Sequence, residues 1–135
     1  MNLIDTANGN LHLPGPVTIA PGMDIELLKE QLTEKQIAFI QEDHLKGMHG
    51  SIYLHGIKAE NKTFKIEVHY NKLKTSSISM DFYCDPGFVI SFSDWVTKLK
   101  GGVDKFAWGD VVADFHPRFD VPYISVVYVT HSVTL

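Results

Sequence analysis

The alternation of apolar and polar positions is sharpest between Phe64 and Tyr70. Phe64, Ile66, Val68 and Tyr70 fall on one side, and Lys65, Glu67 and His69 on the other, the period-two signature of a strand with one wet face. Asn71-Lys72 can turn the chain into a second run, Leu73 to Tyr83. There Ile78, Met80 and Phe82 share a face opposite Ser77, Ser79 and Asp81, so the two runs read as an antiparallel hairpin. Shorter apolar runs, Ile37 to Gln41 and Ser51 to His55, predict strands before it. Val111 to Phe115 and Pro122 to Thr130 predict a closing hairpin around His116-Pro117-Arg118-Phe119-Asp120. In its last strand Ile124, Val126 and Tyr128 face one way, and Val127 and Val129 the other. Apolar residues on both faces are expected of a strand central to a sheet.

The period lengthens in two places. After Pro21-Gly22-Met23, Asp24 is a good N-cap, because its carboxylate can accept an orphan backbone N–H. Ile25, Leu28 and Leu32 then recur at helical spacing, with Leu27 widening the stripe and Glu26, Lys29, Glu30 and Glu34 on the wet side. Ser93 to Lys100 reads as a shorter helix, capped by Ser93, packing through Trp95 and Leu99, and ended by Gly101-Gly102. Residues 1–22 read as extended, with Leu11, Leu13, Val17 and Ile19 alternating around Pro14-Gly15-Pro16 as a short strand or edge ribbon. No repeat, low-complexity stretch or linker divides the chain. The expectation is a single α+β domain over residues 1–135. It would be mainly an antiparallel sheet of about five to seven strands, with two short helices on one face.

The 135 residues carry twelve Lys and Arg against sixteen Asp and Glu, a formal charge of −4, and Arg118 is the one arginine. Arginine is the preferred residue for phosphate and base contacts, so this balance argues against a nucleic-acid partner. It favours a cationic one, which an acidic field steers. Cys84 stands alone, which excludes an internal disulfide and a cysteine-based zinc site. The N-terminus lacks the basic and apolar regions of a signal peptide, and no apolar run approaches the roughly 18 residues of a membrane span. The expected location is the cytoplasm.

Candidate chemistry is sparse. His44, His49 and His55 are the closest histidine group, but Gly47 and Gly50 interrupt the helical spacing a zinc pair wants, so no metal is expected. His69, Asp81 and His116 form a conceivable acid–base set, yet general acid–base work needs a water-limited cleft that the sequence does not reveal. Asp110, Asp114 and Asp120, with Glu42 and Asp43, lack the spacing of a calcium loop, and no nucleophile elbow or phosphate loop occurs. No cofactor and no catalytic residue is therefore expected. Tyr53, Tyr83, Phe88, Phe92, Phe106, Trp108, Phe119 and Tyr123 stand near strand ends or loops. Aromatic anchors beside rim charges are what a protein–protein site needs.

Three features in order carry a resemblance. They are Pro21-Gly22-Met23-Asp24 entering an amphipathic helix, the run Tyr70-Asn71-Lys72-Leu73-Lys74-Thr75-Ser76-Ser77-Ile78-Ser79-Met80, and Trp108-Gly109 before a strand, a polar turn and a valine-rich strand. From about residue 11 to 130 the chain resembles small bacterial immunity proteins of polymorphic toxin systems, such as contact-dependent growth inhibition. Lys72 departs from the pattern, since Gly is expected after the Asn of such a turn. The resemblance implies a protein that binds and neutralises a cognate toxin domain, for instance a nuclease, by blocking its active or substrate-binding surface. Carboxylates would set the on-rate and aromatics would limit dissociation. Asp104, Trp108, Asp110, Asp114, Phe119 and Asp120, near the closing hairpin, are the expected partner-binding residues. The helix face Glu26, Glu30 and Glu34 is second. The alternatives are a small-molecule-binding module or enzyme using His69, Asp81 or His116, and an assembly protein recruiting another chain to a sheet edge.

Overall fold

The computed structural model describes residues 3–44, 48–115 and 121–129. Leu11–Leu13 (β1) and Val17–Ile19 (β2) pair as a separate antiparallel ribbon, as their alternation predicts. Six further strands form one antiparallel sheet: Ile40–His44 (β3), His49–Ala59 (β4), Lys62–Asn71 (β5), Lys74–Cys84 (β6), Gly109–Phe115 (β7) and Pro122–Tyr128 (β8). Their order across the sheet is β3-β4-β5-β6-β8-β7. With helices Ile25–Glu34 (α1) and Phe92–Lys100 (α2), this is an α+β fold. β8 lies between β6 and β7, second from the edge of the sheet. Val127 on its other face, and Val129 just past its end, are about half exposed, so lateral pairing does not bury both its faces.

Two tight turns drive the long hairpins. Ala59 pairs with Lys62 and Asn71 with Lys74, leaving two-residue loops at Glu60-Asn61 and Lys72-Leu73. All four loop residues have φ between 52° and 63°. That is the twist-matched geometry for a hairpin, usually met by glycine because a side chain there costs about 1 kcal/mol or more. Tertiary hydrogen bonds hold the Lys72-Leu73 turn instead. Leu73 N donates to Met48 O (3.1 Å), and Leu73 O accepts from Ile25 N (2.9 Å). The turn thus docks the start of α1 onto the sheet.

One face of the sheet meets everything else. Ile52, Leu54, Phe64, Ile66, Val68, Tyr70, Ile78, Met80, Phe82, Val111, Ile124, Val126 and Tyr128 are buried in one core with Ile25, Leu28 and Leu32 of α1. The ribbon adds Leu11, Leu13, Val17 and Ile19. Trp95 of α2 lies edge-on to Phe82 at 5.8 Å and 6.0 Å from Phe64. Buried aromatic pairs of this kind add roughly 1 kcal/mol beyond the area they cover.

Three local expectations are corrected. Leu27 does not widen the buried stripe of α1; it is half exposed, because it lies off the line of Ile25, Leu28 and Leu32 that meets the core. The cap of α2 is Ser91, whose Oγ accepts from Asp94 N, rather than Ser93. Phe92 packs 4.6 Å from Phe82 and draws the first turn back by two residues. The first strand of the main sheet covers 40–44 rather than 37–41. Ile37 is spent on the core outside the strand, and β3 is set by pairing with β4 rather than by its own burial.

Candidate functional site

Because the helices and ribbon cover one face, the alternating polar residues of the long strands are left on the other. Pairing sorts them into rows across the sheet. One row runs Ile40, Tyr53, Glu67, Ser79, Ser125, Val112, and the next Glu42, Ser51, His69, Ser77, Val127, Asp110. Lys65 and Asp81 face each other in a third. Small serines occupy the middle of these rows and larger side chains the margins. The result is a hollow of about 670 Å³, lined by Tyr53, His55, Lys65, Glu67, His69, Ser79, Asp81 and Tyr123, with Val121 and Pro122 at one wall. Its volume lies within the range of small-ligand pockets.

A hydrogen-bond chain joins three strands beneath it. Ser51 Oγ donates to Glu67 Oε2 (3.0 Å) and lies 3.1 Å from His69 Nδ1. His69 Nδ1 is also 3.3 Å from Glu67 Oε2, and Nε2 is 3.0 Å from Ser79 Oγ. With the ring hydrogen on Nδ1, Ser79 donates to Nε2 and every contact is satisfied. Burial, followed by the charges of Glu67 and Glu42, holds the Tyr53 phenol above its ordinary pKa. Ser79, His69 and Glu67 therefore follow the order of a nucleophile, base and orienting acid. Acyl transfer also needs donors aimed at a developing oxyanion. Ser79 lies inside the sheet, paired with Glu67 on one side and Ser125 on the other, so the backbone N–H groups around it belong to the ladder.

The expected partner-binding residues are dispersed. Asp104 is exposed in the turn after α2, its carbonyl accepting from Lys100 Nζ (2.6 Å). The same ammonium pairs with Asp110 Oδ1 at 2.6 Å, so Lys100 joins these two sites. Asp114 is exposed four residues along β7, about 13 Å from Asp110 at the rise of a strand. Trp108 is half-buried: it stacks on Phe106 (5.1 Å) and its Nε1 donates to Thr6 O (2.8 Å). Phe119 and Asp120 lie outside the described residues, as does His116. The second choice, Glu26, Glu30 and Glu34, is exposed on α1, and Glu26 meets Lys29 at 3.2 Å.

His69 and Asp81 line the same hollow but stand two rows apart; the direct neighbours of His69 are Ser51, Glu67 and Ser79. Alternation had placed Glu67 and Ser79 on the wet face, but nothing local marks them as partners of His69. Among the described residues no group of three His, Cys, Asp or Glu side chains is arranged to hold a metal ion. Among them, too, no helix is long and apolar enough to cross a membrane. Phe88 and Val89, in the loop before α2, are exposed beside the sheet end that carries exposed Tyr83. Comparison of the chain with protein-family models, with curated proteins and with solved structures finds no match.

Proposed function

We propose that this protein is an immunity protein, which binds a cognate bacterial toxin domain and blocks its active or substrate-binding surface with the open face of the sheet. The observation that carries this reading is the one-sided covering of a six-stranded sheet. The bare face is no uniform polar surface. It holds a hollow with two phenols, Tyr53 and Tyr123, two carboxylates, Glu67 and Asp81, and an apolar margin at Val121. Aromatic anchors inside a charged rim are the anatomy of a specific protein interface.

The net charge of −4 supports the same reading. A toxin acting on nucleic acid carries a basic substrate groove, and an acidic face steers such a groove into contact. Asp114 and Asp104 serve as rim charges, while Trp108 and Asp110 hold the edge of the sheet in place. The resemblance to immunity proteins points to the same class of partner. The protein acts by occupying its partner, with no reaction of its own.

The test is co-expression with the product of the reading frame directly upstream in its genome. The expected result is a stable complex and survival of cells that the upstream product alone kills. If those cells die at the same rate with and without this protein, the reading is wrong.

A further inference from the structure

We infer that the hollow on the open face seats a guanidinium group, the side chain of an arginine on the partner; this rests on the reading of that face as the toxin-binding one. Glu67 and Asp81 sit on adjacent strands. Glu67 pairs with Ser79, so Asp81 is its diagonal neighbour. Diagonal neighbours on one sheet face lie about 7–8 Å apart, within reach of a single guest placed between them. Among the described residues neither carboxylate has a Lys or Arg nitrogen within 4.0 Å. Lys65 stands opposite Asp81 in the ladder and lines the hollow, yet makes no ion pair there. Glu67 Oε2 is met by Ser51 Oγ and His69 Nδ1, so the protein holds two carboxylates at the spacing of one planar cation with no lysine or arginine partner among the described residues.

The rest of the lining fits the same guest. A guanidinium offers five donors and no acceptor, and it stacks on aromatic faces. The residues lining the hollow include the carboxylates Glu67 and Asp81 and the aromatic Tyr53 and Tyr123. The Ser51–His69–Ser79 chain fixes Glu67 from below, since Ser51 donates to Glu67 Oε2 at 3.0 Å. An anionic guest would be repelled by both carboxylates, and a purely apolar one would desolvate them without replacing the lost water.

The experiment compares two capped tripeptides, acetyl-Gly-Arg-Gly-amide and its citrulline counterpart, which keeps the shape and removes the charge. Each is titrated into the isotope-labelled protein and followed by backbone amide shifts. The arginine peptide is expected to give saturable shifts centred on Tyr53, Glu67, Ser79, Asp81 and Tyr123, and the citrulline peptide none. Glu67→Gln and Asp81→Asn should each weaken binding roughly tenfold, the effect of losing one charge-assisted hydrogen bond. Lys65→Met, which removes the resident cation, should tighten it. Equal response to both peptides, or shifts spread elsewhere, overturns the inference. Its failure is separable from that of the proposed function. Peptide binding without protection in co-expression sinks the immunity reading alone. Full protection by the Glu67→Gln/Asp81→Asn double variant, without peptide binding, sinks the guanidinium seat alone.

Discussion

Tyr128 shows how far a single residue can act across this chain. Its ring is buried and its hydroxyl donates to Gly9 O at 2.9 Å, closing a contact between the last strand and the N-terminal turn. Trp108 packs beside it, with ring centroids 6.1 Å apart. Gly9 is required there, because φ is +80° and a Cβ would come within 2.5 Å of the Trp108 ring. Burial pushes the Tyr128 phenol far above its ordinary pKa. A raised pKa in the folded state means that the neutral phenol is favoured by folding. The contribution is full below the unfolded value of about 10 and is lost as pH rises from there toward the folded value. Tyr70 is displaced the same way, by burial and then by its hydrogen bond to Asp43. Tyr128→Phe should therefore cost about 1 kcal/mol near neutral pH, where the Gly9 carbonyl loses its donor. It should also flatten the fall of stability in alkali, leaving the part due to Tyr70 and Tyr53. Urea unfolding at a series of pH values measures both.

At the scale of elements, Thr75 ties the segment entering α1 to the sheet, beside the bond from Ile25 N to Leu73 O. Thr75 at the start of β6 is buried; its Oγ1 donates to Ala20 O (2.6 Å) and accepts from Met23 N (2.9 Å). Its backbone adds bonds from Gly22 N and to Met23 O. Thr75→Val keeps the shape and removes both side-chain bonds. It should cost about 1 kcal/mol, because the Ala20 carbonyl and the Met23 N–H lose their nearer partner and keep only the 3.2 Å bond between them. Amide exchange should accelerate most in the first turn of α1. Normal exchange throughout α1 in this variant would show that the helix is held without the Thr75 side chain, by its apolar stripe and the Leu73 carbonyl. β3 depends on long-range contacts in a different way. None of its residues is buried, and it is held by the ladder to β4 and by Tyr70, whose hydroxyl donates to Asp43 and accepts from Gln41 Nε2. Gly50 leaves room for that hydroxyl, since a Cβ there would come within 2.5 Å of it.

At the scale of the whole molecule, the two exposed acidic regions lie on different faces. Glu30 sits on α1, over the core side, whereas Asp81 and Asp114 belong to the open face. If the open face meets the toxin, charge reversal there slows association and weakens its salt dependence. Asp81→Lys combined with Asp114→Lys should slow complex formation roughly tenfold or more, while Glu30→Lys leaves the rate unchanged. Stopped-flow association at two ionic strengths distinguishes them. The opposite pattern would move the interface to α1.

The local sequence determined the α+β class, both helices and the wet and dry sides of β5 and β6. The reason is that side-chain alternation and helical spacing are written in neighbouring residues. Phe64 to Tyr70 and Ile78 to Phe82 are buried on the faces that alternation assigns them. Only the tertiary structure decided which strands lie side by side, because pairing depends on backbone hydrogen bonds between distant segments. Placing β8 against β6 brought Tyr123 to the margin of a hollow whose floor comes from β5 and β6. The same long-range pairing turned Trp108 inward, onto a carbonyl 102 residues earlier. No pattern in the turn that carries it could have shown whether that indole faces a partner or the protein itself.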